Sequence, residues 1–287
     1  MLNQIDTIIQ KVETLLRGGT PSTFGAELLN LARSLLSWLS SSSAIETFAN
    51  VSEEAKAELI ASAVKLHNKA RNLAAQSLCE IRAILKACAG WILSTCGGDK
   101  PKVLSVVIAL LSKSGQEIIE GGKDNEIGVA CLNRANQVWS RATSLAIQKD
   151  ISPIDWQDMK MAIFWANLEK ANLLAKVGDT EDVRRAISAA TEIVQTLPPR
   201  LKLTFADRVY HLALQASTQS HMTEEAVHYS KTALNAVDSA MLPYAPVDSI
   251  DVEGSSVDCV SLSSAVEVKR LRLNIQLSLV FLHLQNK

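Results

Sequence analysis

The stretch Glu225-Ala226-Val227-His228-Tyr229-Ser230-Lys231-Thr232-Ala233-Leu234 places Ala226, Ser230 and Ala233 in one line, and Val237 continues it. Steps of four and three residues trace one face of an α-helix, whereas a strand would alternate. Val227 and Leu234 widen the stripe. Two similar stripes precede it. One is Phe205, Val209, Leu212, Ala213 and Ala216; the other is Val183, Ala186, Ile187, Ala190, Ile193, Val194 and Leu197. Stripes of this kind are the core-facing sides of packed helices. With short connections between them, they predict an all-α chain of antiparallel helix pairs.

The same periodicity extends to both ends. It predicts helices near 2–17, 25–40, 52–73, 76–96, 101–120, 124–147, 154–177, 181–197, 199–219, 223–240 and 262–284. The punctuation agrees. Gly18-Gly19, Gly97-Gly98 and Gly121-Gly122 each follow an apolar periodic run, where a left-handed residue closes the last turn. Ser52 stands before Glu53-Glu54, a cap followed by acids that the helix dipole favours. Ser152-Pro153-Ile154-Asp155 combines a cap, a first-turn proline and a third-position acid. Thr180-Glu181-Asp182 and Thr223-Glu224-Glu225 repeat the theme. Residues 239–261 carry four acids and no base, and predict an acidic loop. Residues 271–279 alternate apolar with polar as a strand would. No other segment offers a sheet partner, so a helix is expected there too.

Composition supports this reading. The chain has 287 residues, 47% of them apolar, 21% charged and only 5% aromatic. Such a balance belongs to a folded chain, not a disordered one. The net charge of −1 predicts no phosphate-tracking surface and hence no direct nucleic-acid binding. Asp6 and Glu13 interrupt any signal-peptide core at the N-terminus. The longest apolar run, Val103 to Leu111, falls well short of a bilayer span. A soluble, cytosolic or nuclear protein is expected. Five cysteines are an odd number, and Cys79, Cys88, Cys96 and Cys131 lie in apolar helical stretches. They read as buried free thiols.

The 225–234 stretch looks like the second helix of a tetratricopeptide repeat (TPR). That helix carries small residues seven apart, and Ala226 and Ala233 occupy those places, with Ser230 between. Upstream, Tyr210, Ala213, Leu214 and Ser217 fall where the first helix of a pair carries its packing residues. Gly128, Leu132 and Ala135 match the second-helix spacing in another pair. Ala186 and Ala190 match it in a third, where a longer turn sets Ala186 three residues late. From Ala186 to Ala226 is 40 residues, against a period of about 34 in the regular repeat. The expectation is a single irregular TPR-like right-handed solenoid over 1–287, with a HEAT-like array as the structural alternative. Such arrays bind other proteins along a concave face.

Leu66-His67-Asn68-Lys69-Ala70-Arg71 followed by Cys79-Glu80-Ile81-Arg82 resembles the meiosis-specific tetratricopeptide scaffold family of crossover proteins (the sporulation, zip-type and testis-expressed proteins). So does Leu110-Leu111-Ser112-Lys113-Ser114-Gly115-Gln116 leading into Ala130-Cys131-Leu132-Asn133-Arg134-Ala135. The resemblance covers about residues 50–240. It implies a long helical array, nuclear and on meiotic chromosomes, that holds other proteins together during synapsis and crossover formation. It implies no catalytic residues. Family members are several times longer than a chain ending at Lys287. The sequence therefore reads as the N-terminal part of a longer array, a short isoform or a truncated gene model.

Motifs for chemistry are missing from the sequence. Gly121-Gly122-Lys123 lacks the earlier glycine of a phosphate loop, because Glu117 stands there, and Asp124 replaces the Ser or Thr after the lysine. His67, His211, His221, His228 and His283 include no pair four apart and no HExxH motif. There is no GxSxG elbow and no CxxC pair. No catalytic residue, metal or cofactor is expected. Trp139, Trp156 and Trp165 read as packing between helices, and an exposed one would anchor a partner peptide. The leading reading is a protein-binding scaffold of the meiotic crossover type. A generic cytosolic repeat adaptor comes second, and an all-α enzyme with a pocket between helices third.

Overall fold

The computed structural model describes residues 2–17, 21–73, 78–122, 124–144, 151–177, 179–219, 222–241 and 262–285. Among these residues there are twelve helices and no strand. They are α1 (Leu2–Leu16), α2 (Pro21–Leu39), α3 (Ser42–Ala49), α4 (Glu53–Arg71), α5 (Cys79–Cys96) and α6 (Pro101–Glu120). Then follow α7 (Asn125–Ser144), α8 (Pro153–Val177), α9 (Thr180–Val194), α10 (Pro199–Ser217), α11 (Thr223–Met241) and α12 (Leu262–Gln285). None is long and apolar enough to cross a membrane.

Local chemistry sets several boundaries. Ser52 Oγ accepts from the Ala55 amide at 3.3 Å and opens α4. Ser152 Oγ accepts from the Asp155 amide at 3.1 Å while its hydroxyl donates to the Asp155 carboxylate at 2.7 Å, and the two hold the start of α8. At α9 the capping residue is Asp179, one place before the expected Thr180; its carboxylate accepts from the Asp182 amide at 3.1 Å. A carboxylate caps as well as a hydroxyl and adds charge against the helix dipole. Gly98 and Gly122 adopt φ of +70° and +72°, so the second glycine of each pair takes the left-handed turn. Gly18-Gly19 lies outside the described residues.

Other expectations shift. The second helix begins at Pro21 rather than near 25, with the proline in the first turn, where no amide donor is needed. Helix α3 was not expected. Its eight residues show no extended stripe, and Ala44 and Phe48, one turn apart, are what bury it. The start of the acidic segment, Ser239 to Met241, continues α11; the rest of it lies outside the described residues. Residues 271–279 are helical.

By their packing the residues fall into two compact units, 1–173 and 174–287. In the first, α5 is the hub: α2, α4 and α6 all pack on it. From Ala83 to Ser94 only Lys86 escapes burial, as expected of a helix surrounded on all sides. α7 packs along α6 and also touches α5. In the second unit α10 and α11 pack along their lengths, and α12 lies on α11 with a smaller contact to α10. Within the first unit α4, α5, α6 and α7 each meet the next in turn, and within the second α9, α10, α11 and α12 do, with some contacts to the one after, which is a repeat-like order of packing.

Candidate functional site

The candidate residues sort into seams and surface. In α7, Gly128, Leu132 and Ala135 are buried. Gly128 and Leu132 meet Gly115 of α6, and here the backbones nearly touch. A Cβ on Gly115 would lie 2.7 Å from Leu132 Cδ2 and 2.9 Å from the Gly128 carbonyl oxygen. A Cβ on Gly128 would lie 2.6 Å from Ile119 Cγ1 and 3.0 Å from the Gly115 carbonyl oxygen. Only glycine fits at either place. Gly115 was legible in the sequence as a glycine inside a helical run, a sign of close approach.

In α11, Ala226, Ser230 and Ala233 are all fully buried, and α10 is the main partner of that helix. Ala186 and Ala190 are likewise buried in α9. On α10 the three packing candidates go different ways. Ala213 is buried. Leu214 is 38% exposed, because it sits one step around the helix from the Val209, Leu212, Ala213 and Ala216 stripe. Tyr210 turns toward α12, where its hydroxyl meets Ser278 Oγ at 2.9 Å and the Asn274 carbonyl at 3.3 Å.

Two polar clusters had no signal in the sequence, since their members are far apart along it. Arg134 of α7 reaches α5, with Nε donating to Ser94 Oγ at 3.0 Å and a terminal nitrogen donating to Thr95 Oγ1 at 3.4 Å. Its guanidinium lies over the Trp91 ring, 5.3 Å from the centroid. Burial, with Arg141 nearby, lowers its pKa from the usual arginine value. The second cluster joins Arg33 of α2 to Glu80 of α5 and Asp124 at the start of α7. On the surface, Trp139 and Trp156 stack with centroids 4.6 Å apart, and Lys160 lies 5.9 Å from the Trp156 ring. Both tryptophans are half-buried, and Ile154, two residues before Trp156, is exposed. Trp165 packs edge-on against Phe164 at 5.1 Å.

Burial is the largest cause of the shifts at three cysteines and two histidines. Burial raises the thiols: Cys96 to about 11, Cys131 to about 12 and Cys88 higher still. Cys88 and Cys131 are fully buried. A thiolate is the reactive form, so alkylation followed by mass spectrometry is expected to leave both unmodified at pH about 8 until the chain unfolds. Rapid native labelling of either would contradict this. Burial, first, and then the Arg71 and Lys86 charges hold His67 below the usual histidine range. His228 is lowered by burial and then by Arg184. Each is therefore easier to protonate in the unfolded chain, and acid costs stability. That cost is absent above the unfolded pKa, near 6.5, and grows as pH falls from there toward the lower folded value. In urea titrations, the loss of stability on acidification through this window should be smaller in His67→Gln; an unchanged pH slope would count against it.

No group of three or more potential metal ligands occurs among the described residues. A cavity in the second unit, lined by Val183, Leu212, Gln215, Met222 and Tyr229, has room for about one water molecule. No family model, curated protein or solved structure matches the chain.

Proposed function

We propose that this chain is a protein–protein interaction scaffold, an irregular TPR-like array of helix pairs winding as a right-handed solenoid and acting in meiotic synapsis and crossover formation. The observation that supports the scaffold reading is the recurrence of small-residue positions inside successive helix pairs. Gly115 and Gly128 make one such seam, and Ala226, Ser230 and Ala233 are buried in another pair. Repeat arrays use such positions to bring helices close and present an extended face. Partners would be proteins held on the concave face. The stacked Trp139 and Trp156 offer an amphipathic anchor of the kind that dominates interface energies.

The meiotic assignment rests on the resemblance over residues 50–240, and with it the nuclear location. It is tested by tagging the protein in its own cells and imaging spread meiotic chromosomes. Foci or short lines on paired chromosomes in prophase are expected. A diffuse cytoplasmic signal, with nothing on the chromosomes, would remove the meiotic role and leave a general repeat adaptor.

A further inference from the structure

The outer face of α12 is apolar and bare. Val266, Leu273, Leu277, Val280, Phe281 and Leu284 are each 54–65% exposed. Elsewhere among the described residues, exposed large apolar side chains occur one to a helix: Leu16, Val64, Val106, Ile154 and Leu214. Single exposed residues of that kind need no explanation, but six on one helix do. The helix is already held by its other side. Ile275 and Leu282 are buried, Arg272 Nε donates to Asp238 of α11 at 2.8 Å, and Ser278 meets Tyr210 of α10. The bare stripe is therefore a second face, not a misassigned first one.

Its spacing identifies what fits. Val266, Arg270, Leu273, Leu277, Val280 and Leu284 follow one another at alternating steps of four and three. That is the seam of two helices packed knobs into holes, a geometry fitted by another helix with the same period. A second copy of α12 has it. The exposed fractions of the six apolar residues correspond to roughly 600 Å² of surface per copy, so full coverage would bury about 1,200 Å² in a pair, the lower bound for stable interfaces.

Charge selects the direction. Parallel pairing would set Arg270 against Arg270 inside the seam, with Lys269 beside each. Antiparallel pairing about Ile275 places Val266 opposite Leu284, Leu273 opposite Leu277, and Arg270 opposite Val280 and Phe281 of the other copy. Each guanidinium then reaches an aromatic ring and the negative end of the opposing helix dipole. We infer that α12 forms an antiparallel, two-fold pair with α12 of a second copy through this stripe. The inference is independent of the meiotic reading: chromosome imaging does not report on it, and a dimer in solution does not require a chromosome.

Light scattering coupled to size exclusion tests it on the 287-residue chain. The expected mass is twice 31.1 kDa, falling to the monomer value in Leu277→Glu and in Leu273→Glu. Both positions are more than half exposed, so circular dichroism should show unchanged helix content. Oxidation should link copies in the double variant Val266→Cys with Leu284→Cys, and in neither single variant beyond the parent chain. A parent chain that stays monomeric at tens of micromolar, or a dimer that survives both glutamates, overturns the inference. Linking by Val266→Cys alone overturns the antiparallel direction.

Discussion

Gly115→Val is expected to destabilise the first unit by about 3 kcal/mol, and Gly115→Ala by about 1–2 kcal/mol. Two effects oppose each other. Replacing a mid-helix glycine with alanine gains up to about 1 kcal/mol of intrinsic helix preference, and somewhat less with valine. Against that stands a Cβ placed 2.9 Å from the Gly128 carbonyl oxygen and 2.7 Å from Leu132 Cδ2. Leu132 is fully buried and has little room to turn aside. The carbonyl belongs to the α7 backbone and moves only if the helix moves. The clash wins, and valine adds two methyl groups to it. Chemical denaturation of both variants, with hydrogen exchange read over α6 and α7, checks the size and the place. Thermal unfolding should fall by about 6–12 °C for valine. An unchanged midpoint for Gly115→Val would mean that α6 and α7 are not in close contact at this crossing.

Periodicity carries the helices, because a buried stripe is a local property written every three or four residues. Most expected segments accordingly match helices among the described residues. Where periodicity is short, as in α3, nothing local announces the helix. Where a helix is apolar on two faces, as in α12, the stripes interleave and mimic a strand. The small positions at Gly128, Ala226 and Ala233 were legible because their spacing is itself the signal. Leu214 was drawn in by a repeat pattern, though it lies outside the apolar stripe of its own helix. Arg134 with Ser94, and Arg33 with Glu80 and Asp124, join residues between 40 and 91 positions apart. Nothing in a single sequence links such partners, since any charged residue on a polar helix face looks alike until the helices are packed.

Arg33 is where that hidden information carries the most energy. Its Nε donates to Asp124 at 2.7 Å and a terminal nitrogen donates to Glu80. One guanidinium fork thus ties α2 to α5 and to the start of α7. The side chains of Arg33, Glu80 and Asp124 are only 28%, 27% and 20% exposed. Arg33→Met keeps most of the apolar stem and removes the charge, leaving two carboxylates short of a donor. Hydrogen bonds to charged groups contribute about 1.5–3 kcal/mol each, and partial access to water returns some of that. The expected net cost is about 2 kcal/mol, short of the 3–5 kcal/mol for a wholly buried pair. Arg33→Lys should cost about 1 kcal/mol, since a single ammonium cannot present the fork to two acids at once. Urea denaturation of Arg33→Met, Glu80→Gln and the double variant gives the coupling directly. A double variant less destabilised than the sum of the two single variants is expected, because both singles remove the same Arg33–Glu80 interaction. Strict additivity of the two single effects would show that Arg33 and Glu80 do not interact. Raising salt toward about 1 M should weaken the parent chain more than Arg33→Met, as screening reaches a pair that only one of them contains.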